Sequence, residues 1–148
     1  MHAVAIVILT YNSRAFLDEC LESLQALTTS AAVIVADNAS ADGTPAHVRE
    51  RHPEVRLLEL GGNWGFAGGY NRALAEVEAE WFALLNPDAR LAPDWLEVLL
   101  RFAAEHPAAA ILGGKLLFPG GRLLQSAGAQ ITDAGTAFEI GWGQADHG

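Results

Sequence analysis

The sequence has 148 residues, of which 51% are hydrophobic and 18% are charged, and its formal net charge at pH 7 is -9. A chain of this length and composition is expected to fold as one globular domain with a buried core. The negative charge argues against nucleic acid or an anionic lipid surface as a general partner, because both would repel the protein over a Debye length. An anionic ligand would need local help from a divalent cation, helix amino termini or the few arginines.

Apolar runs of strand length alternate with helix-like segments in the first part of the chain. The runs are continuous and rich in β-branched residues, which is typical of strands that are covered on both faces in a parallel sheet. Strands linked by helices indicate βαβ units with right-handed crossovers, so the fold class is α/β with an open, mostly parallel sheet flanked by helices. The four strands of this sheet are predicted over residues 4–9, 33–35, 55–60 and 81–85.

Capping signals and apolar spacing predict the helices. Ser13 is expected to cap the first helix, Thr44 and Pro45 to open a second that runs to about His52, and Pro93 to open a later one. The glycine-rich stretch 61–69 is predicted to be a loop that leads into a helix over about 70–77. Further strands are predicted over 108–112 and 115–118, whereas residues 128–148 show no clear period.

Polar residues follow three of the predicted strands directly, at Thr10, Asp37 and Asp88. In open α/β sheets, ligands bind outside the carboxyl ends of the strands. Three such strand ends therefore predict a ligand site at one edge of the sheet. Asx turns and helix caps are the alternative reason for polar residues in these places, and for each residue alone that alternative stays open.

Several other sites are not expected from the sequence. The glycine-rich stretch lacks G-x-G-x-x-G spacing, and residues 38–43 resemble the start of a calcium loop but place Arg49 where a bidentate Glu is needed. Cys20 lies on an apolar helical face and is interpreted as a core residue. The five histidines are scattered without metal-ligand spacing, so no zinc site is predicted.

Four motifs taken together resemble family 2 glycosyltransferases, particularly the rhamnosyltransferase-like branch. Their order and spacing over about 4–94 carry the resemblance, because each motif alone is weak. A later segment, KLLFPGG at 115–121, also resembles that branch. The four motifs are VILTYNS at 7–13, VADNASADGT at 35–44, NWGFAGGYN at 63–71 and LNPD at 85–88.

The resemblance implies a GT-A fold and inverting transfer of a sugar, with rhamnose as one option, from a nucleoside diphosphate to a glycan or lipid-linked acceptor. It implies Mg²⁺ or Mn²⁺ as the cofactor, held by Asp88 at the last acid of the family's DxD position, where Asn86 replaces the first acid. It also implies that Asp37 accepts a hydrogen bond from the imide N–H of uracil or thymine. The implied nucleotide-sugar-binding residues are Thr10, Tyr11, Asn12, Asp37, Asn38, Asn63, Gly65, Phe66, Ala67, Asn71 and Asp88.

The general base of an inverting transfer is not identified from the sequence. Asp133, Glu139 and Asp146 are acids in the second half, but none has a matching context. We therefore expect residues 1–148 to be a single family 2 glycosyltransferase domain without the carboxy-terminal acceptor-binding part. The alternative is a non-catalytic nucleotide-sugar binding or assembly module of the same fold.

The expected partners are a UDP- or dTDP-linked sugar in preference to a GDP-linked one, a saccharide acceptor and possible copies of the same chain in a homo-oligomer. Nucleic acid is not expected. The amino terminus shows neither a basic leader nor a cleavage site, so a cytoplasmic location is expected. Peripheral attachment to the inner face of the membrane is compatible with this expectation. The implied biological role is synthesis of cell-wall or surface polysaccharide.

Overall fold

The computed structural model describes residues 2–147, and the side chains of residues 3–147. The chain divides into two compact units, Met1–Leu96 and Glu97–Gly148. Among the described residues, no helix combines the length and the apolar character that a bilayer crossing requires.

The first unit contains a four-stranded parallel sheet. Its strands lie in the order β3-β2-β1-β4, so β1 is paired on both sides. Ile8 of β1 lies opposite Val35 of β2 and Leu85 of β4. The prediction of one open parallel sheet from the first four strands is confirmed. The strands are β1 (His2–Thr10), β2 (Ala32–Asp37), β3 (Arg56–Glu59) and β4 (Ala79–Leu85).

Helices cover both faces of this sheet because each face is apolar. One buried cluster joins Leu17 and Leu21 of the first helix and Val48 of the second to Ile6 and Ile8 of β1. The other joins Tyr70, Ala73 and Val77 to β1 and β2. The helices are α1 (Arg14–Gln25), α2 (Thr44–Arg51), α3 (Gly65–Ala75) and α4 (Trp95–Glu105).

The glycine-rich stretch is helical over much of its length, which corrects the predicted loop. Helix α3 begins at Gly65 rather than near Tyr70. Glycine disfavours a helix on propensity, but tertiary packing requires it here. A Cβ on Gly69 would lie 2.7 Å from Leu9 Cδ1, so the small residue lets the helix approach β1 closely.

Helix starts differ from the prediction in their caps. Ser13 stands at the N-cap of α1 but makes no capping bond, because its hydroxyl donates to Tyr11 O instead. Gly43, not Thr44, is the N-cap of α2. Both helices are capped by Asp42, whose Oδ2 accepts the Arg14 N–H and whose Oδ1 accepts the Thr44 N–H, each at 3.0 Å.

The second unit contains most of α4 and a set of short hairpin strands. The strand predicted at 108–112 is absent, since that segment has no regular structure and its Ile111 side chain is 91% exposed. Only two residues of the predicted 115–118 strand pair. Helix α4 begins at Trp95, two residues after the predicted Pro93. The strands are β5 (Leu116–Leu117) with β6 (Leu124–Ser126), and β7 (Ala129–Ile131) with β8 (Ala137–Glu139).

Candidate functional site

A cleft of about 380 Å³ lies at the carboxyl ends of β1, β2 and β4. We call it the strand-end cleft, and its polar or aromatic walls come from Thr10, Tyr11, Ser13, Asn38, Asn63, Phe66 and Asn86. A larger hollow of about 1040 Å³ lies at the opposite edge of the sheet, beside Ala32 and Val55. Size alone would favour the larger hollow. We assign the site to the strand-end cleft because parallel α/β sheets bind ligands at the carboxyl edge.

A buried hydrogen-bonded group forms the floor of the cleft. The Thr10 hydroxyl donates to Asp37 Oδ1 at 3.0 Å, and the Ser40 N–H donates to Asp37 Oδ2 at 2.9 Å. Thr10 and Asp37 are both almost fully buried. The Ser40 bond is the local turn that was the alternative reason for an acid at this position. Each carboxylate oxygen can accept a second hydrogen bond, so these two bonds leave Asp37 able to accept one from a ligand.

Asn38 joins the end of β2 to the start of α3. Its Nδ2 donates to Asn63 Oδ1 at 3.0 Å and to Gly65 O at 3.1 Å, while its Oδ1 accepts the Trp64 N–H at 2.9 Å. Asn63 Oδ1 also accepts the Gly65 N–H at 2.9 Å. Asn38 is buried, and its three hydrogen bonds are partly shielded from water. This network fixes the loop that forms one wall of the cleft.

Asn12 joins the turn after β1 to the loop that follows β2. Asn12 has a left-handed φ of 53°, a conformation that asparagine tolerates better than most residues. Its side-chain Oδ1 accepts the Ala41 N–H at 2.8 Å, and its N–H donates to Ser40 Oγ at 2.9 Å. The neighbouring Tyr11 side chain is 52% exposed at the cleft. An exposed aromatic ring in a cleft is available to pack against a ligand.

The first turns of α3 present exposed side chains beside the cleft. Phe66 is 67% exposed and meets Tyr70 edge to face at a centroid distance of 5.0 Å. Ala67 and Asn71 are also exposed. The Tyr70 hydroxyl donates to Leu85 O at 3.0 Å, and burial raises the pKa of this phenol. Tyr70 therefore stays neutral and ties α3 to the end of β4.

Asp88 lies in the turn that follows β4, where its carboxylate is exposed. The buried Cys20 thiol lies under this turn, with Sγ 3.7 Å from Asn86 O. Burial and then the charge of Asp88 raise the pKa of Cys20 to about 11. The interpretation of Cys20 as a core residue is confirmed, because the thiol is only 1% exposed.

The structure brings part of the predicted set together around the strand-end cleft. Thr10, Tyr11, Asn38, Asn63, Gly65 and Phe66 line it. Asn12, Asp37, Ala67 and Asp88 are not among its walls, although each is next in sequence to a residue that is. Asn71 is neither a wall residue nor next in sequence to one. The sequence prediction missed Ser13 as a wall residue, because it was interpreted only as a helix cap.

The acids considered as a general base all belong to the second unit. Asp146 forms an ion pair with Lys115, with Nζ 2.7 Å from Oδ1. Glu139 accepts a hydrogen bond from the Ser126 hydroxyl. Asp133 is exposed in the turn between β7 and β8.

Two histidines, His47 of α2 and His52 just after it, meet Asp18 of α1, contrary to the prediction that the histidines are scattered. His47 Nε2 lies 2.6 Å from Asp18 Oδ1, and His52 Nε2 lies 2.8 Å from the same oxygen. Hydrogen bonds from His52 and then His47 hold the pKa of Asp18 below its ordinary value. We call these three residues the Asp18 cluster. Sequence spacing could not reveal it, because Asp18 comes from another helix.

Comparison with known proteins identifies the family. The family model of glycosyl transferase family 2 matches residues 5–138, which is most of the chain. The chain belongs to glycosyl transferase family 2. The resemblance predicted from the motifs is thereby confirmed. It extends from the parallel sheet into the second unit.

Two curated relatives of this family 2 chain are named for rhamnosyl transfer and for succinoglycan biosynthesis. An N-acetylglucosaminyl-diphospho-decaprenol L-rhamnosyltransferase from Mycobacterium tuberculosis is 34% identical over 134 residues, covering 82% of this chain and 44% of the relative. The succinoglycan biosynthesis protein ExoO from Rhizobium meliloti is 34% identical over 102 residues, covering 68% of this chain and 29% of the relative. The chain thus spans less than half the length of these relatives.

Solved structures confirm the GT-A glycosyltransferase fold. The S. aureus TarS structure in complex with UDP aligns with a TM-score of 0.63 and 26% identity, over 70% of this chain and 32% of that chain. The mannosyltransferase PcManGT from Pyrobaculum calidifontis, in complex with GDP-Man and Mn²⁺, aligns with a TM-score of 0.64 and 30% identity over the same 70% of this chain and 32% of its own.

Proposed function

We propose that this chain supplies the donor-binding part of an inverting glycosyltransferase that moves a sugar from a nucleoside diphosphate to a saccharide or lipid-linked acceptor. The strand-end cleft is the observation that carries the proposal. It lies at the ligand-binding edge of a family 2 sheet, and its lining combines apolar surface, including Leu9 and Pro87, with amide and hydroxyl groups. Relatives whose names include rhamnosyl transfer to a lipid-linked sugar support this class of reaction.

The base and ribose would lie against the β1 and β2 ends in this proposal. Asp37 would accept the imide N–H of uracil or thymine, since an ionised carboxylate accepts but cannot donate. Tyr11 is exposed at the strand-end cleft and can pack on a planar ring. UDP bound to TarS is consistent with a uridine donor, whereas GDP-Man bound to PcManGT shows that the fold also accepts guanosine.

The diphosphate would lie near the start of α3 and the turn after β4. Helix α3 begins at Gly65, which lines the cleft, so the positive end of the helix dipole lies beside it. Asp88 and the Asn86 side chain are exposed oxygen donors, the type that Mg²⁺ and Mn²⁺ prefer. A divalent cation held there would neutralise negative charge on the departing diphosphate.

Calorimetry with UDP, dTDP, CDP and GDP, each with and without Mn²⁺, tests the proposal. We expect UDP or dTDP to bind with one site per chain and Mn²⁺ to tighten the binding. Asn38→Ala should weaken it, because the wall formed by Asn63 and Gly65 loses its anchor. Glu22→Ala, an exposed change on the far part of α1, is the matched control and should bind as the wild type does. Absence of binding by all four nucleotides would overturn the proposal.

A further inference from the structure

We propose that the Asp18 cluster binds one divalent transition-metal ion, of the Zn²⁺ type, that links α1 to the carboxyl end of α2. The ligand atoms are one oxygen of Asp18 and the Nε2 atoms of His47 and His52, and all three lie within 4.8 Å of one another. Two imidazoles and one carboxylate form a donor set that Zn²⁺ binds in proteins. This site is separate from the proposed donor site, whose oxygen ligands suit a harder cation.

The geometry of the cluster already approximates one face of a coordination sphere. Both imidazole nitrogens point at Asp18 Oδ1, at 2.6 and 2.8 Å, and the two rings are inclined at 65° rather than stacked. Ligand atoms around a tetrahedral Zn²⁺ at about 2.0–2.2 Å lie a little more than 3 Å apart. Because both nitrogens point at Oδ1, that oxygen would have to move aside by roughly 1–2 Å to admit an ion bound to all three atoms. Asp18 is 46% exposed, so it has room to move and leaves a path for entry.

An unpartnered atom on His52 supplies a second, independent observation. With Nε2 directed at Asp18, the buried Nδ1 of His52 has no hydrogen-bond partner within the described structure. Its nearest carboxylate oxygen is Glu54 Oε1 at 3.8 Å. A histidine that binds a metal through Nε2 carries its proton on Nδ1 and commonly donates it to a carboxylate. Metal binding through Nε2 would thus place a proton on the buried Nδ1, which could then donate to Glu54 Oε1. Without the metal, Nδ1 makes no hydrogen bond to this oxygen.

Glu54 is positioned for that supporting role. Its Oε1 accepts a hydrogen bond from Gln25 Nε2 at 3.1 Å, which connects it to the end of α1. The set therefore joins α1 to α2 through the ion and again through Glu54. A surface network of two histidines sharing one carboxylate is the competing explanation, and it requires no ion.

Zn²⁺ titration of the tag-free chain without nucleotide tests the proposal. We expect one Zn²⁺ per chain with micromolar affinity, a rise in Tm on Zn²⁺ addition, and visible d–d absorption on Co²⁺ substitution. Asp18→Asn retains a hydrogen-bonding side chain and is half-exposed, so it should fold while losing at least about tenfold in Zn²⁺ affinity. His47→Gln should do the same. His106→Gln, a histidine at the end of α4 outside the cluster, is the matched control and should bind as the wild type does.

Equal Zn²⁺ affinity and stoichiometry in the wild type, Asp18→Asn and His47→Gln would overturn the proposal, as would absence of binding by the wild type. Asp88→Asn separates the two metal sites. It should leave Zn²⁺ binding in the absence of nucleotide unchanged. Loss of Zn²⁺ binding in that variant would assign the ion to the donor site instead.

Discussion

Asp88 is the residue on which metal-dependent nucleotide binding rests in the proposed function. We predict that Asp88→Asn weakens binding of UDP with Mn²⁺ by about tenfold or more, because the side chain that binds the cation loses its negative charge. The fold should survive, since the side chain is exposed. Calorimetry at fixed Mn²⁺ measures the change, and thermal unfolding checks stability.

Two controls make this test specific for the metal. Chelation of Mn²⁺ with EDTA should remove the difference between Asp88→Asn and the wild type. Glu80→Gln removes an exposed acid from the same part of the chain and should bind UDP normally. Equal affinity of Asp88→Asn and the wild type in Mn²⁺ would assign the metal to other residues.

Asp37 is predicted to select the base. A carboxylate can pair with the imide N–H of uracil, whereas neutral cytosine offers no donor at that ring position. The wild type should therefore prefer UDP to CDP, and Asp37→Asn should reduce this preference. Because Asp37 is buried and bonded to Thr10, the substitution will also cost stability, about 1–3 kcal/mol.

The ratio of the two affinities is the measurement that separates these effects. A purely structural Asp37 would weaken UDP and CDP equally and leave their ratio unchanged. Thr10→Val is the matched control, since it breaks the same buried hydrogen bond without altering the carboxylate. An unchanged ratio in Asp37→Asn would leave the turn at Ser40 as the sole role of this acid.

At the level of elements, Asp42 holds the amino ends of α1 and α2 together. Desolvation alone would raise its pKa, but hydrogen bonds from the Thr44 hydroxyl and the Arg14 and Thr44 N–H groups outweigh it and lower the pKa below 3.8. We predict that Asp42→Ala lowers the free energy of unfolding by about 2 kcal/mol at pH 7, because two helix starts lose their acceptor.

The pH dependence of that loss follows from the direction of the pKa shift. A carboxyl with a depressed folded-state pKa stabilises the fold above its ordinary value, and this contribution is lost as the pH falls through the folded-state value. The difference between Asp42→Ala and the wild type should therefore shrink below about pH 3.8. Urea unfolding at several pH values measures it, with Glu22→Ala as the control. A difference that persists at low pH would contradict the capping role.

The sequence predicted the strands of the parallel sheet and the starts of α1 and α2 well, but it predicted the start of α3 and the capping bonds poorly, for a physical reason. Continuous apolar runs mark parallel strands because both faces are buried, so β1, β2 and β4 were found within a few residues. The start of α3 depends on Asn38 and Leu9, which are distant in sequence. The capping of both α1 and α2 by Asp42 also depends on contacts between residues distant in sequence. Local propensity contains no information about such contacts.

The site was predictable to the extent that it depends on strand ends. Thr10 and Asn38 line the strand-end cleft because a parallel sheet brings the carboxyl ends of its strands to one edge. The Asp18 cluster was not predictable, since it requires knowing which turn of α1 packs against α2. The roles of Asp37 and Asp88 remain predictions that the experiments above test.

For the molecule as a whole, Cys20 is an internal reporter of stability. The thiol is buried and its pKa is raised to about 11, so both access and thiolate formation require α1 to leave the sheet. We predict that a thiol-specific reagent at pH 8 labels the native chain at least about 10³-fold more slowly than the urea-unfolded chain. The absorbance of the chromophore that the reagent releases measures the rate of Cys20 labelling. Labelling at similar rates in both states would contradict the packing described for α1.

The position of β1 at the centre of the sheet has a consequence for how the chain folds. Ile8 pairs with Val35 on one side and with Leu85 on the other, so β1 is fully paired only after β4, which is synthesised later, has formed. Such distant pairings carry a large loop-closure entropy and fold slowly. A nascent chain therefore exposes one apolar edge of β1 until β4 has emerged. Because β4 leads directly into Asn86 and Asp88, we expect nucleotide binding to be acquired in the same late step that completes the sheet.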